Sequence, residues 1–69
     1  MSLPLESKSA AETLLDSALA TIQSASIRDW ANSAHNRPVW IRYAQATIDN
    51  GRGDAVKLAT IILCNAIGL

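Results

Sequence analysis

WANSAHNRPVWIRYAQATI, residues 30–48, is the stretch whose reading decides the fold. It falls into the second half of a short helix over Ser26 to Ala34, a turn at His35-Asn36, and a second helix from Pro38 to about Asn50. Ser26 stands three residues before Asp29, the spacing of a helix-opening box, and Ile27, Trp30, Ala31 and Ala34 recur at helical intervals. Pro38 suits a first helical turn, where its missing N–H leaves no bond unmade. Beyond it Ile41, Ala44 and Ile48 make one apolar stripe, with Val39, Arg42, Tyr43 and Ala46 on the other side. Two helices joined by so tight a turn suggest a helix-turn-helix.

A β-hairpin is the competing reading. Val39, Ile41 and Tyr43 alternate, and Asp49-Asn50-Gly51 is a turn signal. The helical reading ranks first because the alternation decays after Tyr43 and Ala44, Gln45 and Ala46 favour helix. Asn50-Gly51 then becomes the stop of the helix, with glycine free to take positive φ.

Upstream, Ser9-Ala10-Ala11-Glu12 is a capping box, in which the serine hydroxyl takes an orphan backbone N–H and Glu12 reaches back. Ala11, Leu14, Leu15, Ala18, Leu19 and Ile22 follow at helical spacing, so a helix is expected from about 10 to 24. Residues 1–8, with Pro4, read as a flexible leader whose Leu3 and Leu5 staple onto that helix. Downstream, Asp54 caps a last helix over about 54–67. Ala55, Leu58, Ala59, Ile62 and Ala66 form its main stripe, yet Val56, Ile61, Leu63 and Ile67 wrap most of the remaining circumference. A helix apolar nearly all round is expected to be central to the core. In a chain this small, burying it completely calls for a partner, which marks Leu58, Ile61, Ile62 and Leu63 as interface residues. The expected fold is all-α, a small compact four-helix domain occupying residues 9–69.

With 69 residues the chain is one domain, since so short a chain buries only about 60% of its unfolded surface. There is no Phe, and Trp30, Trp40 and Tyr43 are the only large rings. Both tryptophans read as core, Trp40 beside Ala44 and Ile48, Trp30 against Ile27 and Ala34. Small chains of this kind often gain stability by oligomerising. The single cysteine makes no internal disulfide, and no run approaches the roughly 20 apolar residues that cross a bilayer. Glu6 and Lys8 precede any apolar stretch, unlike a secretory signal, so the expected location is cytoplasmic. Formal net charge is zero, which disfavours a purely electrostatic binder of nucleic acid. The distribution tilts, however. Residues 1–26 set Lys8 against Glu6, Glu12 and Asp16; afterwards Arg28, Arg37, Arg42, Arg52 and Lys57 outnumber Asp29, Asp49 and Asp54.

Two stretches resemble the repressor/Cro type of helix-turn-helix protein. Ala25-Ser26-Ile27-Arg28-Asp29-Trp30-Ala31 is similar to the opening of that family's first motif helix, and Ala34 and Ile41 fall at its expected offsets. Ile48-Asp49-Asn50-Gly51-Arg52 and the closing Ala66-Ile67-Gly68-Leu69 resemble later family segments at the usual separation. The departures are concrete. His35 stands where the family's turn has glycine and would need positive φ. The third helix is about one turn too long between Ile41 and Ile48, and the fifth helix of the family is missing. The resemblance implies a dimer on double-stranded DNA with the third helix in the major groove. Arg37 and Arg42, with Tyr43 between the expected recognition positions, would then face the groove, while Arg28 and Arg52 would meet flanking phosphates.

Other chemistry is poorly supported by these residues. His35 and Cys64 are single and distant in sequence, and Cys64 reads as a small apolar filler. Arg52-Gly53-Asp54 spells an adhesion tripeptide, but as a glycine hinge followed by an N-cap it has a structural reading. Asp49, Asn50 and Asp54 lack further ligands for a cation loop, because Gly51 and Gly53 stand where these would be needed. The expectation is a non-enzyme without metal or cofactor: a DNA-binding regulator, or alternatively a protein-interaction module (inhibitor, adaptor or assembly subunit) that meets its partner through the last helix.

Overall fold

The computed structural model describes residues 9–68. The expected leader with its Leu3 and Leu5 staple, and Leu69, lie outside those residues. Four helices follow in order: α1 over Ala10–Ala20, α2 over Ala25–Ala31, α3 over Arg37–Asp49 and α4 over Ala55–Ala66. No strand occurs among the described residues, so the hairpin alternative is excluded there and the all-α class holds.

The capping box opens α1 as its sequence dictates. The Glu12 N–H donates to Ser9 Oγ at 3.2 Å, and the Ser9 N–H donates to Glu12 Oε1 at 3.3 Å. The helix stops at Ala20, well short of residue 24. Ser24 is the cause: it caps α2 from an extended conformation (φ −75°, ψ 114°), so the chain must leave α1 before reaching it. Ile22 nonetheless stays buried at 2% exposure. Its apolar periodicity outran the helix because a loop residue can fill the core as well as a helical one.

The expected Ser26 box is corrected. Ser24 Oγ accepts from the Ile27 N–H at 3.3 Å, and Ser26 lies exposed inside the helix. Both serines can cap; starting at Ser24 is the choice that lets Arg28 Nη1 reach back to donate to the Ile22 carbonyl. At the other end α2 closes at Ala31, and Ala34 is exposed in a turn that spans residues 32–36. There the Arg37 N–H donates to Ser33 O at 2.8 Å, and Asn36 Nδ2 donates to the Trp30 carbonyl at 2.9 Å, closing the end of α2. His35 does not take the positive φ that the repressor/Cro turn requires; no non-glycine described residue does.

Helix α3 ends as its Asn-Gly signal dictates. Gly51 has φ 72°, its N–H donates to Ile48 O at 2.9 Å, and the Arg52 N–H reaches Thr47 O at 2.7 Å. This pair of bonds is the Schellman arrangement, which satisfies two otherwise orphaned carbonyls. Gly53 follows in a tight spot, where an added Cβ would stand 3.2 Å from Ile48 Cγ1. Asp54 then caps α4, accepting from the Val56 and Lys57 N–H groups at 2.8 and 3.3 Å.

Helix α1, not α4, holds the centre. It packs against both α3 and α4, and α2 leans on α4. The core contains Ala11, Leu15 and Ala18 of α1, Trp40 and Ala44 of α3, and Leu58, Ala59 and Ile62 of α4. Within this single chain α4 is not enclosed all round: Val56 and Ile67 are 65% and 62% exposed. The covered side is the one that meets α1 and α2. Both α3 and α4 pack on α1 but make only slight contact with each other, and the space between them stays open.

Candidate functional site

The arginines marked in the sequence separate into two groups. Arg37 opens α3 but turns back across the bundle, its Nη1 lying 3.1 Å from Asp16 Oδ1 and 2.6 Å from Asn32 Oδ1, with Nη2 4.0 Å from Glu12 Oε2. It therefore joins α1, the end of α2 and the start of α3. Arg28 is half-buried and engaged with the Ile22 carbonyl. Neither guanidinium is presented for a phosphate or a base. Arg42 and Arg52 are exposed, and their side chains make no hydrogen bond or ion pair among the described residues. The side chain of Lys57 is in the same condition.

The interface residues expected on α4 also separate. Leu58 and Ile62 are sealed in the core at 1% and 0% exposure, so they have no face left for a partner. Ile61 and Leu63 are half-buried against the core's edge. The α4 side chains carrying the most exposed apolar surface, Val56 and Ile67, were not singled out as interface, because hydrophobicity all round a helix gives no indication of which side its neighbour covers.

The structure adds residues that the sequence had placed elsewhere. Trp30, expected in the core, is 38% exposed, since Ala34 is not on its helix to cover it. Its ring meets Trp40 edge-on at 6.2 Å between centroids, and Trp40 meets Tyr43 in the same manner at 5.9 Å. Trp40 is the buried member of this row; Trp30 and Tyr43, at 38% and 42%, flank it at the surface. Offset and edge-to-face pairs of this kind hold rings in place beyond their area burial. Val39, half exposed, stands one turn before Tyr43 on α3, with Arg42 beside it.

Below Tyr43 the gap between α3 and α4 forms an open cleft of about 390 Å³. Tyr43, Ala46 and Thr47 of α3 make one wall, and Lys57, Leu58 and Ile61 of α4 the other; Asn50, Arg52 and Asp54 close the end. Its acidic member, Asp54, is engaged by the first turn of α4, whereas the Arg52 and Lys57 side chains have no partner among the described residues. The cleft is thus apolar along its length and cationic at its closed end. A second groove of about 440 Å³, beside Thr13, Leu14 and Ile48, has no charged side chain in its lining.

Other chemistry finds little footing among the described residues. No three His, Cys, Asp or Glu side chains converge as metal ligands there. His35 is exposed in the turn and Cys64 is half-buried on α4. No helix is long and apolar enough to cross a membrane. Compared with protein-family models, curated proteins and solved structures, the chain finds no match, and the likeness to repressor/Cro proteins is carried by its own residues alone.

Proposed function

We propose that this protein is a non-enzymatic protein-interaction module, and that it meets its partner with the outer face of α3 and the cleft beside it. The observation that carries this reading is the row Trp30–Trp40–Tyr43 with Arg42 alongside: two rings half exposed yet held by a third that is fixed in the core. Trp, Tyr and Arg are the residue types that dominate the energetic centres of protein interfaces, because they bring large area at small entropic cost. A preset ring row loses little further freedom on binding. The surface differs from the one first expected on α4, since Leu58 and Ile62 serve the core instead.

Duplex DNA binding is the second reading, favoured by Arg42 and Arg52, which stand exposed on α3 and the turn after it. One experiment separates the two. A photo-activatable phenylalanine analogue is placed at Tyr43 and, as a control, at Thr60 on the exposed side of α4, and the protein is irradiated in its parent cell. Protein adducts formed at position 43, absent at 60 and lost on Arg42→Glu are expected. Nucleic-acid adducts at 43 support the second reading, and equal yields at both positions overturn both.

A further inference from the structure

We infer that the cleft between α3 and α4 receives an acidic amphipathic helix of a partner protein; this rests on the interaction-module reading and adds the partner's chemistry to it. The shape of the cleft selects a helix. Its walls are two helices whose backbone groups are already bonded, so it offers no free strand edge to an extended peptide, and the partner must satisfy its own backbone. The lining runs from Tyr43 to Asn50 along α3 and from Asp54 to Ile61 along α4. At 1.5 Å per residue each wall is about 10 Å long, or two helical turns. An incoming helix would therefore seat apolar side chains at positions i, i+3 or i+4, and i+7, against Tyr43, Ala46 and Ile61.

Charge selects the sign. Arg52 and Lys57 lie in the cleft and Arg42 directly precedes its lining residue Tyr43 on α3, all three without a partner among the described residues. The carboxylates on the same elements are engaged: Asp54 by the N–H groups of Val56 and Lys57, and Asp49 by Gln45 Nε2 at 2.9 Å. Those neutral donors leave both carboxylates charged, so Arg42, Arg52 and Lys57 exceed Asp49 and Asp54 by one positive charge, a small excess that favours carboxylates over a basic helix. Most of the discrimination is expected from these charges, and most of the holding from the apolar floor.

The test uses the full chain labelled with ¹⁵N and synthetic peptides of about 18 residues, long enough for measurable helicity in water. One carries leucines at i, i+3, i+4 and i+7 with glutamates elsewhere; a second replaces each glutamate by lysine; a third has the composition of the first in scrambled order. The acidic helix is expected to shift the amide signals around Tyr43, Ala46, Lys57 and Ile61 saturably, with a dissociation constant below about 1 mM, the weak end of measurable association. The Arg52→Glu/Lys57→Glu protein should bind it at least about tenfold more weakly, each tenfold step being 1.4 kcal/mol. Both side chains are exposed and without a partner among the described residues, and an unchanged spectrum of the free variant checks that its fold is intact. Equal binding of the lysine or scrambled peptide, shifts centred on Val56 and Ile67, or no saturable shift at about 1 mM overturns the inference. So does duplex DNA shifting the cleft signals where the acidic peptide does not. Protein adducts at position 43 combined with an inert acidic peptide would remove the acidic helix alone and leave the interaction module standing.

Discussion

Replacing Arg37 by alanine removes a side chain that joins α1, the end of α2 and the start of α3. Its contacts differ in worth. The bonds to Asp16 Oδ1 at 3.1 Å and to Asn32 Oδ1 at 2.6 Å are within hydrogen-bond reach, while the Glu12 contact at 4.0 Å is the outer limit of an ion pair. The side chain is 24% exposed and those of its acidic partners 34–36%, so solvent screening is partial. Charge-assisted bonds contribute about 1.5–3 kcal/mol when well shielded and exposed ion pairs about 0.2–1 kcal/mol. An intermediate value near 1 kcal/mol for each of the two good contacts gives about 2 kcal/mol. One term opposes it: Arg37 is the first residue of α3, where a positive charge meets the positive end of the helix dipole at a cost of about 0.3–1 kcal/mol. The net loss on Arg37→Ala is then about 1–1.5 kcal/mol, or a fall in Tm of roughly 4–12 °C for a domain of this size. Circular dichroism melts at low salt measure it. Part of the difference should vanish in 1 M salt, where screening acts within about 3 Å. A double-mutant cycle with Asp16→Ala should return a coupling of at least about 0.5 kcal/mol. If Arg37→Ala melts with the parent protein, the clamp is an ornament of the surface and the claim that Arg37 is unavailable to ligands fails with it.

The remaining predictions concern the helix ends and the core. Ser24→Ala should lower stability by about 1 kcal/mol through loss of the N-cap, while Ser26→Ala, inside α2, stays within about 0.5 kcal/mol of the parent; urea melts that reverse this order would restore the Ser26 box. Gly51→Ala forces a Cβ into a φ of 72° and should cost about 1–2 kcal/mol, with Gly51→Asn milder because asparagine tolerates that region; equal melting of both variants with the parent protein would contradict the assigned turn. Ile62→Val, at 0% exposure, should cost about 0.5–1.5 kcal/mol, whereas Ile67→Val, at 62%, should leave the melt unchanged; comparable losses at the two positions would mean that α4 is covered on its outer side.

Much of this fold is written in local chemistry. The Ser9–Glu12 box, the Asn50-Gly51 stop and the Asp54 cap each rest on hydrogen bonds within a few residues, and local sequence contains all their partners. What escaped was decided between elements. Ser24 and Ser26 are equivalent as caps, and the choice depended on Arg28 finding the Ile22 carbonyl six residues back. Trp30 fits a core stripe only if Ala34 is helical, and the turn over 32–36 removed that cover. Helix α4 has apolar residues on every side, so nothing in its own sequence states that α1 takes Leu58 and Ile62 and leaves Val56 and Ile67 outside. The cleft was least legible of all, for it depends on how α3 and α4 each pack on α1 and leave a gap between themselves.

That placement also changes what the basic residues can do. A count of five arginines and lysines after residue 26 suggests a phosphate-binding face, yet the count treats unequal groups alike. Releasing Arg28 to a ligand would strip the Ile22 carbonyl of its donor, and leaving a buried acceptor unmade costs about 1–3 kcal/mol. Releasing Arg37 would cost the clamp. A single phosphate contact does not clearly exceed either loss, so among the described residues Arg42, Arg52 and Lys57 are the cations left to meet a ligand. On duplex DNA three such contacts give a salt slope no steeper than about −2.7, weak holding for a protein of zero net charge. Beside an apolar floor the same three charges need not supply the affinity; they only decide which amphipathic helix may lie there. On the proposed reading they select a protein partner, and a measured slope well beyond −3 on duplex DNA would show that cations other than these three meet the phosphates and would count against it.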